Sequence, residues 1–572
     1  MTLTKKTALR STRWLESDDM RGFAHRQRLQ QIGWRRDDFI GKPVIGILNT
    51  WSDISTCHSH LRERAQVIAQ SILAAGGFPL EIPALSLSEI FVKPSTMLYR
   101  NLLAMETEEL LRSHPLDGAV LLGGCDKTTP GLLMGALSVD LPVIFCPAGP
   151  MLNDRYKGQK VGAGTHTRTY WDDYQAGRID IRELETLEQR MTRSIGTCNT
   201  MGTASTMTTL AEALGLALPG STSIPAADAA HVRMCRDAGT RIVGAVYDDL
   251  RPSELVTPAA MHNAAHVLMA IGGSTNAAIH LLALAGRAQI PFHLADLDRI
   301  ARETPVLLNL FPAGEHLMED FFYAGGLPAL LSRIQHVIDT SAQTITGHPW
   351  SQHLRQPVDD RIIRTIDHPI SSQPALAVLS GNLAPRGAVI KPSAASPELL
   401  THRGRARVFD SYAAMKAALQ ENDATLDENT VLVLRNAGPV GAPGMPEWGN
   451  LPIPKALLAR GVRDLVRLSD ARMSGTHYGT CVLHITPESA VGGPLALVHT
   501  GDEILLDVPN RQLQLLVPPE ELARRQMDWQ PPKSTYSRGY TALYQQHVGQ
   551  ADTGCDFDFL AAGQPTPEPD IF

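Results

Sequence analysis

The chain of 572 residues is poor in cysteine, poor in aromatic residues and carries no excess of positive charge. Its seven cysteines, Cys57, Cys125, Cys146, Cys198, Cys235, Cys481 and Cys555, are too few and too scattered for a disulfide framework. Any with a special role is therefore expected to act as a thiolate ligand or nucleophile. A formal net charge of −7 leaves no basic footprint for nucleic acid, so small-molecule chemistry is the better expectation. No uninterrupted apolar run approaches the ~18 residues that a spanning helix needs. The opening stretch MTLTKKTALRSTRWLESDD has no apolar run behind its lysines, so no secretory signal is read there. A cytoplasmic location without membrane or nucleic-acid partners is the expectation. A P-loop is also missing, the GAGTHT at 162–167 lacks the third glycine of a dinucleotide fingerprint, and no GxSxG elbow surrounds Ser474.

What is present is an ordinary globular composition, 43% hydrophobic and 19% charged, in a chain longer than one hydrophobic core usually serves. Two or more domains are expected. From about 42 to 290, short β-rich runs (PVIGILNT, DGAVLLGG, LPVIFCPAG) alternate with helical stretches such as HLRERAQVIAQSILAAGG, closed by Gly76 and Gly77 as left-handed caps. This predicts an α/β fold whose N-terminal domain, 1–369, is a parallel sheet with helices on both faces. The stretch 293–367 reads as mostly helical and connective. Beyond it, evenly spaced short strands separated by Gly, Pro and Asn predict a C-terminal β-rich, barrel-like domain over 370–572, ending in a loose tail, AAGQPTPEPDIF.

Three groups of residues could carry chemistry. Cys125, Asp126 and Lys127 follow an apolar strand where the chain must turn, and Cys57 follows another. Cys198 lies in a Gly, Ser and Thr rich loop that opens a helix. Ligands in open α/β sheets sit at such strand ends, and helix N-termini favour thiolate. Spacings of 68 and 73 residues form no CxxC signature, so position alone leaves two readings open, thiolate ligands or three unrelated buried residues. Glu89, Asp126 and Glu447 sit in loops and offer the hard oxygens that suit Mg²⁺, although singly each could be a solvated surface carboxylate. Ser474, in a Ser-Gly-Thr turn with Arg472 close by, can act as a base only if a cation or metal stabilises its alkoxide.

Taken together, GGCDKTTPG, TCNTMGTASTM, PGMPEWG and SDARMSGTHYGT resemble the dihydroxy-acid and sugar-acid dehydratase family, over nearly the whole chain from about Arg10 to Leu560. CNTMGTASTM, VLRNAGPVGAPGMPEWGN and YGTCVLHITPE look closer to the aldonic-acid (arabinonate and xylonate) branch. The resemblance implies an iron-sulfur cluster on Cys57, Cys125 and Cys198, 2Fe-2S as in that branch with 4Fe-4S as the alternative. Three protein ligands rather than four would leave one iron open. It also implies Mg²⁺ on Glu89, Asp126 and Glu447, with Lys127 contributing as a carbamate, and Ser474 as the base at C2. The implied reaction removes water across C2 and C3 of a sugar acid to give a 2-keto-3-deoxy acid, in a homodimer or homotetramer.

Two departures from the family's pattern bear on substrate, Ser88 where glycine is more usual and His477 where a small residue is. Thr476 and His477 are accordingly candidate substrate contacts, His477 equally a packed histidine, and 165–174 a stretch that could line the substrate chain. The alternatives are a dehydratase acting on 2,3-dihydroxy-isovalerate, an iron-sulfur electron carrier and a non-catalytic sugar-acid binder. A carrier has no need of Glu89, Glu447 or Ser474.

Overall fold

The computed structural model describes residues 8–175, 177–371, 373–420, 426–561 and 567–571. The N-terminal half is built on a parallel sheet of β1 (Val44–Asn49), β2 (Phe78–Pro83), β3 (Gly118–Gly123) and β4 (Val143–Pro147), in the order β2-β1-β3-β4. β1, β3 and β4 are buried along their whole length, as expected of parallel strands covered on both faces, which read as unbroken apolar runs. Two glycines of β3 show the two faces. A side chain at Gly118 would strike Val246 of the helix Ala229–Asp248, and one at Gly123 would strike Leu132 of the helix Thr128–Val139. The two positions are an odd number of residues apart and so point to opposite sides of the strand.

The helix Leu61–Ala74 ends at Gly76, which is left-handed at φ 88°, as a cap requires. Gly77 is not left-handed. It is small because a Cβ there would lie 2.8 Å from Val243 and 2.9 Å from Ile72. In the stretch 293–367 the helices are Leu294–Glu303, Met318–Tyr323 and Gly326–Arg333. The expected helical run through PVLLNL instead becomes extended, with Val306 bridging Ser371 and Leu308 bridging Ile363. Thr304 precedes Pro305, which disfavours helix at that point.

A hairpin, β5 (Asp154–Tyr156) and β6 (Gln159–Val161), precedes the helix Thr165–Gln175. The C-terminal half is a closed barrel of β7 (Ala377–Gly381), β8 (Ala384–Ile390), β9 (Thr401–Phe409), β10 (Val431–Leu434), β11 (Arg467–Ser469), β12 (Cys481–Thr486), β13 (Glu503–Asp507) and β14 (Gln512–Leu515). The order is β10-β11-β12-β8-β7-β14-β13-β9, closed by the parallel pair of β9 and β10. Val482 of β12 joins the barrel's own core, while its neighbours Cys481 and Leu483 join the core of the α/β half, so one strand serves both. The tail is anchored where it is described. Glu568 pairs with Arg10 at 2.7 Å and Arg13 at 2.8 Å, and Ile571 packs on the main core; 562–566 lie outside the described residues. Among the described residues no helix is long and apolar enough to cross a membrane.

Candidate active site

β1, β2 and β3 end level, with Asn49 beside both Pro83 and Leu122, so the loops that follow emerge side by side. β1 leads to Cys57 in the short turn Thr56–His58, β2 to Glu89, and β3 to Cys125, Asp126 and Lys127. The Cys198 loop is tied to the end of β4 by a bridge between Pro150 and Thr197. In the barrel, β10 and β11 also end level, Leu434 beside Ser469, and send out the loops that bear Glu447 and Ser474.

These loops bring three carboxylates together. Oxygens of Glu89, Asp126 and Glu447 lie within 4.8 Å of one another. Lys127, its side chain fully buried, reaches all three, at 3.3 Å from Glu89, 3.4 Å from Asp126 and 3.9 Å from Glu447. Arg472, equally buried, donates to Glu447 at 3.0 Å, to Ser95 Oγ at 3.0 Å and to the Met445 carbonyl at 2.7 Å. Asn276 donates to the same Glu447 oxygen at 2.6 Å, and Thr96 donates to Glu89. Burial pushes the Asp126 carboxyl up to about 6, with Lys127 opposing and Glu89 and Glu447 adding to it. Burial would likewise push Lys127 down, but the charges of Glu89 and Asp126 outweigh it and hold the ammonium above its ordinary value. Glu447 is held below its ordinary value because Lys127 and Arg472 outweigh its burial. An all-oxygen set of this closeness fits Mg²⁺. The Lys127 ammonium now supplies countercharge that a divalent cation would take over, and a protonated ammonium cannot itself be a ligand.

The three loop cysteines also meet. Cys57 hydrogen-bonds with Cys125, and this, then burial and the charges of Cys125 and Cys198, push its thiol well above the ordinary range. Burial, with Asp126 and Cys125, pushes Cys198 up to about 12. Thiols crowded together in this way fit a cationic iron core, which would favour their thiolate forms. His58 is no fourth ligand here, since its Nε2 accepts the Cys125 amide at 3.1 Å and its Nδ1 meets Thr50 Oγ1 at 3.1 Å. The other four cysteines lie elsewhere. Cys146 and Cys235 face each other at 3.7 Å, Cys555 meets Met445 at 3.9 Å, and Cys481 meets Asn450 at 3.9 Å.

Ser474 Oγ lies 3.1 Å from Thr476 Oγ1. Arg472, close to Ser474 in sequence, is committed to Glu447, Ser95 and Met445. The turn is joined to the carboxylates by packing. A Cβ at Gly475 would lie 2.8 Å from Ser274, whose hydroxyl meets Thr203 Oγ1 at 2.9 Å, and Thr203 accepts from Asn276 at 3.1 Å. Asn276, Ser274, Thr203 and Lys391 were not singled out from sequence, although GGSTN at 272–276, a polar Gly-rich turn between apolar helices, was a signal to follow. Lys391, fully buried, donates to the Gly272 carbonyl at 2.7 Å and the Gly273 carbonyl at 3.2 Å, and so fixes that turn. His477, whose amide donates to the Ser474 carbonyl at 3.1 Å, is buried, and burial holds its imidazole down at about 3.

An α/β sheet and a barrel that direct an oxygen cluster, a thiol cluster and a serine turn at one place define an enzyme centre, and sequence comparison identifies its class. Residues 42–353 match the N-terminal family model of the dihydroxy-acid/6-phosphogluconate dehydratases, and residues 361–555 match the C-terminal one. The chain is 60% identical to the 6-deoxy-6-sulfo-D-gluconate dehydratase of Pseudomonas putida over 98% of each chain. It is 50% identical to the L-arabinonate dehydratase of Rhizobium leguminosarum over 96% of each. To the dihydroxy-acid dehydratase of Thermodesulfovibrio yellowstonii it is 38% identical over 93% of this chain and 97% of that one. The protein is thus a dehydratase, a lyase that removes water. It belongs to the dihydroxy-acid/6-phosphogluconate dehydratase family, as GGCDKTTPG, TCNTMGTASTM, PGMPEWG and SDARMSGTHYGT led us to expect.

Proposed function

We propose that this dehydratase acts on a sugar acid, removing water across C2 and C3 to leave a 2-keto-3-deoxy acid. Cys57, Cys125 and Cys198 would hold an iron-sulfur cluster, 2Fe-2S in this reading. Glu89, Asp126 and Glu447 would hold Mg²⁺, with Lys127 as a carbamate beside them. The observation that carries the reading is the meeting of an oxygen cluster and a thiol cluster at one set of strand ends, with a serine turn packed against them. Among the relatives, those at 60% and 50% identity are named for sugar acids, the 38% one for a dihydroxy acid.

When bound, Mg²⁺ would offset charge on the substrate carboxylate and C2 oxygen, and an iron with an open position would act as a Lewis acid toward the C3 oxygen. The chain's own residues do the rest. Ser474 takes the proton from C2, and Thr476, 3.1 Å from its oxygen, orients it. The C2–H pair becomes the C2=C3 bond, the C3–O pair leaves with the hydroxyl, and the enol tautomerises to the keto acid. Arg472 and Asn276 hold Glu447 in place throughout.

The test is an anaerobic assay of 2-keto acid formation, with Mg²⁺ and protein of known iron and sulfide content, on pentonates, hexonates and 2,3-dihydroxy-isovalerate. Turnover of sugar acids ahead of the branched dihydroxy acid is expected. Turnover of the branched acid alone would replace the substrate reading, and no turnover of any would sink it.

A further inference from the structure

Of the four cysteines outside the site, two form a pair. Cys146 lies in β4 and Cys235 on the helix Ala229–Asp248, 89 residues further along the chain, and their sulfurs stand 3.7 Å apart. Cys146 also meets Met234 Sδ at 3.6 Å. One turn before Cys235 on the same helix, His231 brings its Nδ1 to 3.9 Å from the Cys235 sulfur. The other ring nitrogen, Nε2, is 2.9 Å from the Pro147 carbonyl, which can only accept, so Nε2 carries the proton and Nδ1 is an acceptor. Arg64 Nε donates to that Nδ1 at 3.2 Å.

A thiol beside an imidazole acceptor and a guanidinium can give up its proton. Cys146, then His231 and the charges of His231 and Arg64, hold the Cys235 thiol below its ordinary value against its burial, whereas Cys235 and burial push Cys146 well above. The pair therefore divides into a nucleophile, Cys235, and a resolving thiol, Cys146. Both are at most 1% exposed, which shuts out a bulky disulfide and leaves room only for an oxidant about the size of water. Four residues beyond Cys146, Pro150 bridges Thr197, the neighbour of Cys198. His60, whose Nε2 meets the Ala148 carbonyl at 2.7 Å, sets its ring edge-on to His231. The base of the Cys198 loop and the start of the helix that follows Cys57 are thus held by the network around the pair.

We propose that Cys146 and Cys235 are a reversible dithiol/disulfide site, closed by hydrogen peroxide, that ties β4 at the base of the Cys198 loop to the helix Ala229–Asp248. The Cys235 thiolate attacks one peroxide oxygen. The O–O bond breaks, Cys235 becomes a sulfenic acid, and the departing hydroxide takes up the proton of the thiol as water. The Cys146 sulfur then attacks the Cys235 sulfur, the S–O bond breaks, and the hydroxyl leaves with the Cys146 proton as a second water. Two thiols lose two electrons and one peroxide becomes two waters. The site is independent of the dehydratase reading, since no step in it uses a cluster, magnesium or substrate.

The experiment treats cluster-loaded protein with hydrogen peroxide, blocks the remaining thiols under denaturing conditions and maps the peptides by mass, with sulfoxide at the exposed Met20 and Met527 as the gauge of dose. A cross-linked pair of Cys146 and Cys235 peptides, short of two hydrogens and reopened by dithiothreitol, is expected. Glutathione disulfide in place of peroxide should leave both thiols free. H231Q, whose amide cannot take up a proton, should slow closure about 10-fold or more. Dithiothreitol added to the oxidised protein should lower the thermal midpoint of the wild type and not that of C235A, because the cross-link closes a long loop in the unfolded chain. Free thiols at both positions after a dose that oxidises Met20 and Met527 would overturn the proposal, as would sulfinic acid at Cys235 without the cross-link. Equal closure by glutathione disulfide would overturn the choice of oxidant, an H231Q rate equal to the wild type's the part of His231, and a midpoint that dithiothreitol moves alike in wild type and C235A the tether. The wild-type map decides even where a variant fails to fold.

Discussion

In the proposed mechanism Ser474 would carry the proton-transfer role by its position in the turn rather than through a neighbouring cation. Its hydroxyl is bonded to Thr476, while the neighbouring arginine is turned to Glu447. Removing the hydroxyl should therefore leave both ligand clusters intact. The expected outcome for S474A is a fall in kcat of about 10²- to 10⁴-fold, the usual worth of a positioned acid or base. Iron, sulfide and Mg²⁺ contents and the visible spectrum of the cluster should stay unchanged. Near-normal turnover with unchanged metal content would assign the C2 proton to another group. At this scale position alone left the cysteines and carboxylates open between ligands and ordinary residues, and the family resemblance, not their spacing, singled them out. The partners that orient them were not legible in the sequence, since Asn276 and Lys391 look like ordinary helix and strand-end residues until their contacts are drawn.

Among the elements, the loop from β10 to Glu447 is held by two buried carboxylates, Asp470, which accepts the Ala437 amide at 3.0 Å, and Glu488. Glu488, 1% exposed, accepts the Val440 amide at 2.9 Å, the Gly441 amide at 2.9 Å and the Gln550 side chain at 2.8 Å. Burial, with the charge of Asp470, pushes Glu488 up to about 7. A carboxyl raised above its unfolded value binds its proton more tightly in the native state. Its contribution to stability is full below about pH 4.5 and is lost as pH rises through about 7. Glu212, which accepts the Gly220 and Thr222 amides, is raised by burial to about 7 and acts in the same sense. For E488Q we expect the fall in unfolding free energy across that pH window to be shallower than in the wild type, by about 3 kcal/mol at most. Urea melts at several pH values measure it, and parallel wild-type and variant curves would contradict it.

At the scale of the whole molecule the two halves are locked by the C-terminal segment. Arg287, its side chain 1% exposed, bonds Asp556 at 2.5 Å, Glu108 at 3.3 Å and Ser138 at 2.6 Å. Arg100 holds the Gly554 and Cys555 carbonyls at 2.8 Å each. A shared apolar cluster of Met97, Ile279, Met445, Tyr544 and Phe557 lies beneath the Glu447 loop. Breaking a buried pair leaves a charge without its partner, which typically costs about 3–5 kcal/mol. D556A should accordingly lower the thermal transition markedly and D556N less so, and an unchanged transition would show that Glu108 alone suffices for Arg287.

The sequence alone determined the alternation of parallel strands and helices and the β-rich second half, because hydrophobic period and turn residues are local properties. Four short stretches sufficed for the family. Only the tertiary structure decided that loops from β1, β2, β3, β10 and β11 open onto one place, because strand register is set by pairing between segments far apart in the chain. It also decided that a tail rich in proline is pinned by Arg10 and Arg13 and that Arg472 is committed to Glu447, Ser95 and Met445. Those outcomes depend on partners hundreds of residues away or on the direction a side chain takes, and neither is written in local pattern.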